Sequence, residues 1–399
     1  MNPRLLTGLA LLVLSVLPAA QRRGRPEGND PAACPYCGGD AERMRAAGLV
    51  SHGGFEFAQS NTAAIDDFFG AYEVYWIESE HFEIGLGLGP YKPKQGELKA
   101  LRAEMAELSK VLPEVPAKPR LLDPWLRAHL YAWRAERVWD RWLEFVRLDA
   151  DVFPTAEEPK LPDAPYFGEG PFMGQQGKYE LLILPTEDDQ VRFLRDQLGL
   201  GVRSTQRWNV IERDTLITVT SLTGNDLRVD AALHGHVAFN LTAQFLDGFK
   251  HYSYDVPRWL TEGLAHVVER ELNPRYNSFD KSEGSAEDRS RKWDWDKEVK
   301  KLLRAEAAPR FAQLASTRTF AEFTDVDHFT MWSMTVYLSQ EHAEGLACLL
   351  GGLKGRRDAT GMPDATNLFD VQRDLFRECL GMNYAQFDQA WKTWALARE

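Results

Sequence analysis

Between residues 94 and 112, apolar side chains recur every three or four positions, at Leu98, Leu101, Met105, Leu108 and Leu112, which places them on one face of a helix. Pro113 and Pro116 end it. The same period carries Leu126, Leu130, Trp133, Val138, Trp142 and Val146. Asp123-Pro124 stands ahead of them, a capping residue followed by a proline at a first-turn position. Further upstream, residues 73–84 mix aromatic and β-branched side chains as a strand or hairpin does. Tyr179–Leu184 predicts a strand, Glu187–Leu198 a helix, and residues 207–222 two strands around Glu212-Arg213-Asp214. Two helices are expected near 227–249 and 256–272. The polar run 273–291 reads as a long loop, and the remainder is helical with turns at Gly351-Gly352, Gly355 and Gly361.

This order of elements is α+β. Residues 151–178, rich in Pro, Gly and acidic side chains, predict a linker between a mostly helical unit over 34–150 and a larger domain over 179–399. Residues 21–33 are polar and Gly/Pro-rich and read as a flexible lead-in. Residues 1–20 combine Arg4, an apolar run over 5–17 and the small residues Ala19 and Ala20, the pattern of a secretory signal peptide. The run is too short to span a bilayer, which needs about 20 apolar residues. An exported protein is therefore expected, periplasmic, cell-surface or extracellular, with no membrane contact beyond the leader.

Charge removes one class of function. The 399 residues carry a formal net charge of -12 without a basic stripe, so a nucleic-acid partner is not expected. Of the four cysteines, Cys34 and Cys37 form Cys-Pro-Tyr-Cys, for which a local disulfide is expected. A thioredoxin-like redox pair would follow a strand and open a helix, whereas Gly38-Gly39 comes next. Half of a zinc knuckle lacks its second cysteine pair, because Cys348 and Cys379 stand singly on helical segments and read as buried thiols.

The second of the two mid-chain helices opens Val256-Pro257-Arg258-Trp259-Leu260-Thr261-Glu262-Gly263-Leu264-Ala265-His266. Its Pro-x-Trp-Leu-x-Glu-Gly-Leu-Ala pattern resembles the peptidase-MA-like gluzincins, a family of zinc peptidases. Residues 329–338, 349–353 and 387–394 are similar to the helices that close such domains. The resemblance covers roughly 179–399 and implies a zincin-like fold: a small sheet, active-site helices and a helical C-terminal part. It also implies that Glu262 matches the family's third zinc ligand.

The preceding helix departs from that pattern. It reads Ala232-Leu233-His234-Gly235-His236-Val237-Ala238-Phe239-Asn240 where the family has His-Glu-x-x-His, and no such motif occurs anywhere in the chain. Ordinary zinc catalysis then lacks its general base and one imidazole ligand. His234 and His236 lie roughly 200° apart around a helix and do not share a face. Glu262 and His266, at i and i+4, do.

Three functions remain open. The chain is a pseudo-peptidase that binds a peptide, glycan or protein surface without cutting it, with Glu262 a metal-free buried carboxylate paired to His234 or His236. Or it is a hydrolase with altered zinc ligands, drawn from His234 or His236 with Glu262 and His266, and with Asp255 or Glu269 as base. Or it is a redox module acting through Cys34 and Cys37.

Overall fold

A computed structural model describes residues 30–155, 165–224, 227–253, 256–282, 285–288 and 294–398. The expected leader over 1–20, most of the expected lead-in, part of the expected linker and the candidate base Asp255 lie outside the described residues.

The strands are β1 (Leu49–Ser51), β2 (Glu56–Phe57), β3 (Ser60–Asn61), β4 (Tyr75–Ser79), β5 (Phe82–Leu86), β6 (Tyr179–Leu184), β7 (Thr205–Val210), β8 (Thr215–Ser221), β9 (Ser278–Ser282) and β10 (Ser285–Asp288). Eight of them form one mixed sheet in the order β1-β4-β5-β6-β8-β7-β10-β9, while β2 and β3 pair separately. Strands β5, β6 and β8 run parallel, with Phe82 opposite Tyr179 and Leu181 opposite Thr218. Every residue of β6 is buried, as a central strand covered on both faces requires.

The helices are α1 (Ala41–Ala46), α2 (Thr62–Phe69), α3 (Leu98–Val111), α4 (Pro124–Val146), α5 (Glu187–Leu198), α6 (Asp230–Gly248), α7 (Arg258–Leu272), α8 (Trp295–Arg304), α9 (Phe311–Ser316), α10 (Asp325–Glu341), α11 (Ala343–Leu353), α12 (Leu368–Leu380) and α13 (Tyr384–Ala397). The fold class is α+β, as the pattern of elements predicts. Asp123 caps α4 through its side chain, with Pro124 in the first turn. The first amides of α6 are capped from elsewhere: Ala231 N–H donates to Glu97 and Asp230 N–H to the Tyr91 hydroxyl.

Three expectations change. The segment over 151–178 does not divide the sheet, since β1, β4 and β5 from the N-terminal part join the strands after it. The polar run 273–291 is not all loop. It contributes β9 and β10, because its polar side chains Ser278 and Asp280 find buried polar partners that a hydrophobic pattern does not register. Third, Cys34 and Cys37 are free thiols, and the disulfide joins Cys348 to Cys379. Packing of α11 against α12 brings that pair to a Cα separation of 5.6 Å.

Candidate functional site

Helix α7 packs between α6 and α10. At Gly263 a Cβ would stand 2.1 Å from Thr335 Oγ1, so only glycine permits this approach of α10. Two turns before Thr335 along α10 lies His328, which the close packing brings to Glu262. Nδ1 of His328 is 3.1 Å from Glu262 Oε2, His266 Nε2 is 3.1 Å from the same oxygen, and the two ring nitrogens are 3.0 Å apart. The triangle is closed to water, with exposures of 0% for Glu262, 0% for His266 and 4% for His328. Phe239, Phe279 and Trp295 surround the His266 ring.

Burial pushes the Glu262 carboxyl up, but the facing imidazoles His328 and His266 override it and hold it down to about 2. Burial lowers His266 to about 4 against the pull of Glu262. An anionic carboxylate and a neutral imidazole are the donor forms that a divalent ion takes. Ligand bonds of about 2.0–2.1 Å set tetrahedral donors about 3.3 Å apart, so this triangle accepts zinc with an expansion of a few tenths of an ångström.

Helix α6 supplies the Phe239 ring beside His266 but no ligand atom to that triangle. The His236 ring lies between Thr205 Oγ1 at 2.7 Å and Ser278 Oγ at 2.8 Å, and burial beside Arg207 lowers it to about 3. Since Ser278 donates its hydroxyl to Glu269 at 2.7 Å, its oxygen accepts from His236 Nδ1. A Cβ at Gly235 would lie 3.4 Å from Glu269 Cγ, so this glutamate fills the space beside the glycine. Asn240 accepts from Arg207 at 3.0 Å, and Arg207 grips Asp280 at 3.0 and 2.7 Å. Burial raises the Asp280 carboxyl to about 7, against Arg207 and reinforced by Glu262. The Asp280 backbone N–H donates to Glu262 Oε1 at 3.0 Å, so β9 reaches into the space between α6 and α7.

His234 points elsewhere. Its Nδ1 is 3.5 Å from Glu104, and burial and Arg134 lower it to about 4. It lines a groove of about 710 Å³ whose walls include Trp133, Arg134, Arg137, Arg141 and Glu271.

The structure thus joins Glu262 to His266, as their spacing requires, and adds His328, which no local motif marks. It separates both from His234 and His236, so neither pairs with Glu262 or completes a ligand set there. Glu269 is committed to Ser278, at both its backbone N–H and its hydroxyl, and is not placed as a base. No protein-family model matches the chain, and a search of curated proteins gives no match either.

Proposed function

We propose that this chain is an exported protein of gluzincin-like architecture that does not hydrolyse peptides and acts by binding. One observation carries the reading: Gly235, His236 and Asn240, at or beside the positions of the missing α6 motif, are engaged away from Glu262. Gly235 has Glu269 against it, Asn240 is bound by Arg207, and His236 is held by Thr205 and Ser278. Peptide hydrolysis needs a base within reach of a water and a path for the substrate, and Glu262 is fully buried under Asp280. The sequence of α7 supports kinship with gluzincins. Export is supported by the leader pattern of residues 1–20 and by the Cys348–Cys379 disulfide, which suits an oxidising compartment.

Glu262, His266 and His328 are the residues that would hold a zinc ion in this centre. Bound there, the ion supplies positive charge that ties α7 to α10. Ligand contact is assigned to the groove beside His234, whose volume suits a short peptide segment, with Trp133 offering an apolar face and Arg137 a charge.

The altered-ligand hydrolase is favoured by the same donor set, since two imidazoles and one carboxylate leave coordination positions for water. It requires β9 to withdraw from Glu262.

The test is a protease assay on the full chain purified with zinc, using casein and mixed peptides, with Glu262→Ala in parallel. No chelator-sensitive cleavage by either protein is expected. Cleavage that a chelator stops and Glu262→Ala abolishes overturns the reading in favour of the hydrolase. A peptide array probed with wild type and Trp133→Ala addresses the groove: retention by the wild type and loss in the variant are expected.

A further inference from the structure

A second group of donors lies in the N-terminal part of the chain. Cys34, Cys37, His52 and His129 each present one ligand atom, and these atoms lie within 4.8 Å of one another. Cys34 Sγ is 3.1 Å from His129 Nε2, and Cys37 Sγ is 3.1 Å from His52 Nε2. All four side chains are buried, at 2%, 0%, 4% and 1% exposure in the order Cys34, Cys37, His52, His129.

We propose that Cys34, Cys37, His52 and His129 form a closed tetrahedral site for a structural zinc ion. Zinc bonds of about 2.3 Å to sulfur and 2.0–2.1 Å to nitrogen separate the donors by roughly 3.3–3.8 Å, between the 3.1 Å of the two sulfur–imidazole pairs and the 4.8 Å that bounds the whole set. Each thiol gives up its proton to solvent on binding, so two thiolates balance the charge of the ion and the imidazoles stay neutral. Four protein donors leave no position for a substrate, which assigns the site to structure.

The surroundings are those of a prepared site. His52 Nδ1 is 3.1 Å from the Trp76 carbonyl oxygen and donates to it, which leaves the Nε2 lone pair facing Cys37. The turn that carries the two cysteines is held by its own backbone, Gly38 N–H donating to the Cys34 carbonyl at 2.9 Å and Asp40 N–H to the Cys37 carbonyl at 3.0 Å. Gly38 and Gly39, with φ of 60° and 67°, supply the left-handed backbone that closes this turn. Tyr36 donates its hydroxyl to Asp123, fastening the turn to the start of α4.

The arrangement of the sulfurs supports the same reading. Cys34 and Cys37 are not joined to each other, and each buried sulfur faces an imidazole instead. A redox pair, in contrast, needs a sulfur that a partner thiol can reach. The ion would tie the turn at 34–37 and the segment after β1 to α4, joining positions up to 95 residues apart in the chain.

Cobalt(II) added to the metal-free full chain tests this, because thiolate-to-cobalt charge transfer absorbs in the near ultraviolet and Glu262, His266 and His328 contain no sulfur. The band is expected in wild type and in Glu262→Gln, to weaken in His129→Ala, and to be lost when Cys34→Ser and Cys37→Ser are combined. A second measurement needs no variant: in the native zinc-purified chain, iodoacetamide should leave Cys34 and Cys37 unmodified until a chelator removes the bound zinc. Absence of the cobalt band in wild type, its persistence in the cysteine variant, or a Cys34–Cys37 disulfide in protein purified with zinc overturns the proposal.

Discussion

Asp280 donates its backbone N–H to Glu262 at 3.0 Å while its carboxylate is held by Arg207 at 3.0 and 2.7 Å. One residue of a polar strand thus satisfies one oxygen of the α7 glutamate and neutralises an arginine whose further contact is Asn240 on α6. The space between the two helices is filled by an internal ion pair.

That pair has a stability consequence. The side chains of Arg207 and Asp280 are 3% and 0% exposed, so removing the arginine leaves a carboxylate buried without its partner. Arg207→Met is expected to cost about 3–5 kcal/mol. Adding Asp280→Leu should recover part of it. Urea unfolding midpoints measure both, and a loss under about 1 kcal/mol in the single variant would show that β9 is held by other contacts.

Asp230 predicts a pH dependence. Burial raises its carboxyl, but Arg134, 2.8 Å away, more than offsets this and holds it at about 2. Because the folded value lies below the unfolded one, the stability from this group is complete above about pH 4 and is lost as pH falls through 2. Thermal melts from pH 7 to pH 2 should show that loss in wild type. Asp230→Asn should start less stable at pH 7 and decline less steeply over the acid range. An unchanged acid limb in the variant would refute the assignment.

Gly263 sets the distance between α7 and α10. Gly263→Ala brings a methyl group against Thr335, 2.1 Å from Oγ1 and 3.2 Å from Cβ, and is expected to destabilise by about 1–3 kcal/mol. Thr335→Ala in the same chain removes the nearer atom and should restore part of the loss. Calorimetric melting of the single and double variants decides it; equal melting temperatures for wild type and Gly263→Ala would contradict the packing.

What the sequence determined by itself was local. Period and capping mark α3, α4, α5, α6 and α7, and the apolar run marks β6, because each signal is complete within one element. Glu262 and His266 share a face for the same reason, four residues being about one helical turn. The tertiary structure decided everything that needs two elements to meet. His328 joins Glu262 only because α10 closes on Gly263, and Cys34 meets His129 across 95 residues of chain. Strand β9 is polar, so its burial shows only once His236, Glu269 and Arg207 are seen waiting for it. Periodicity records how far each side chain is from water along its own segment, whereas donor sets and ion pairs depend on which segments the folded chain presses together.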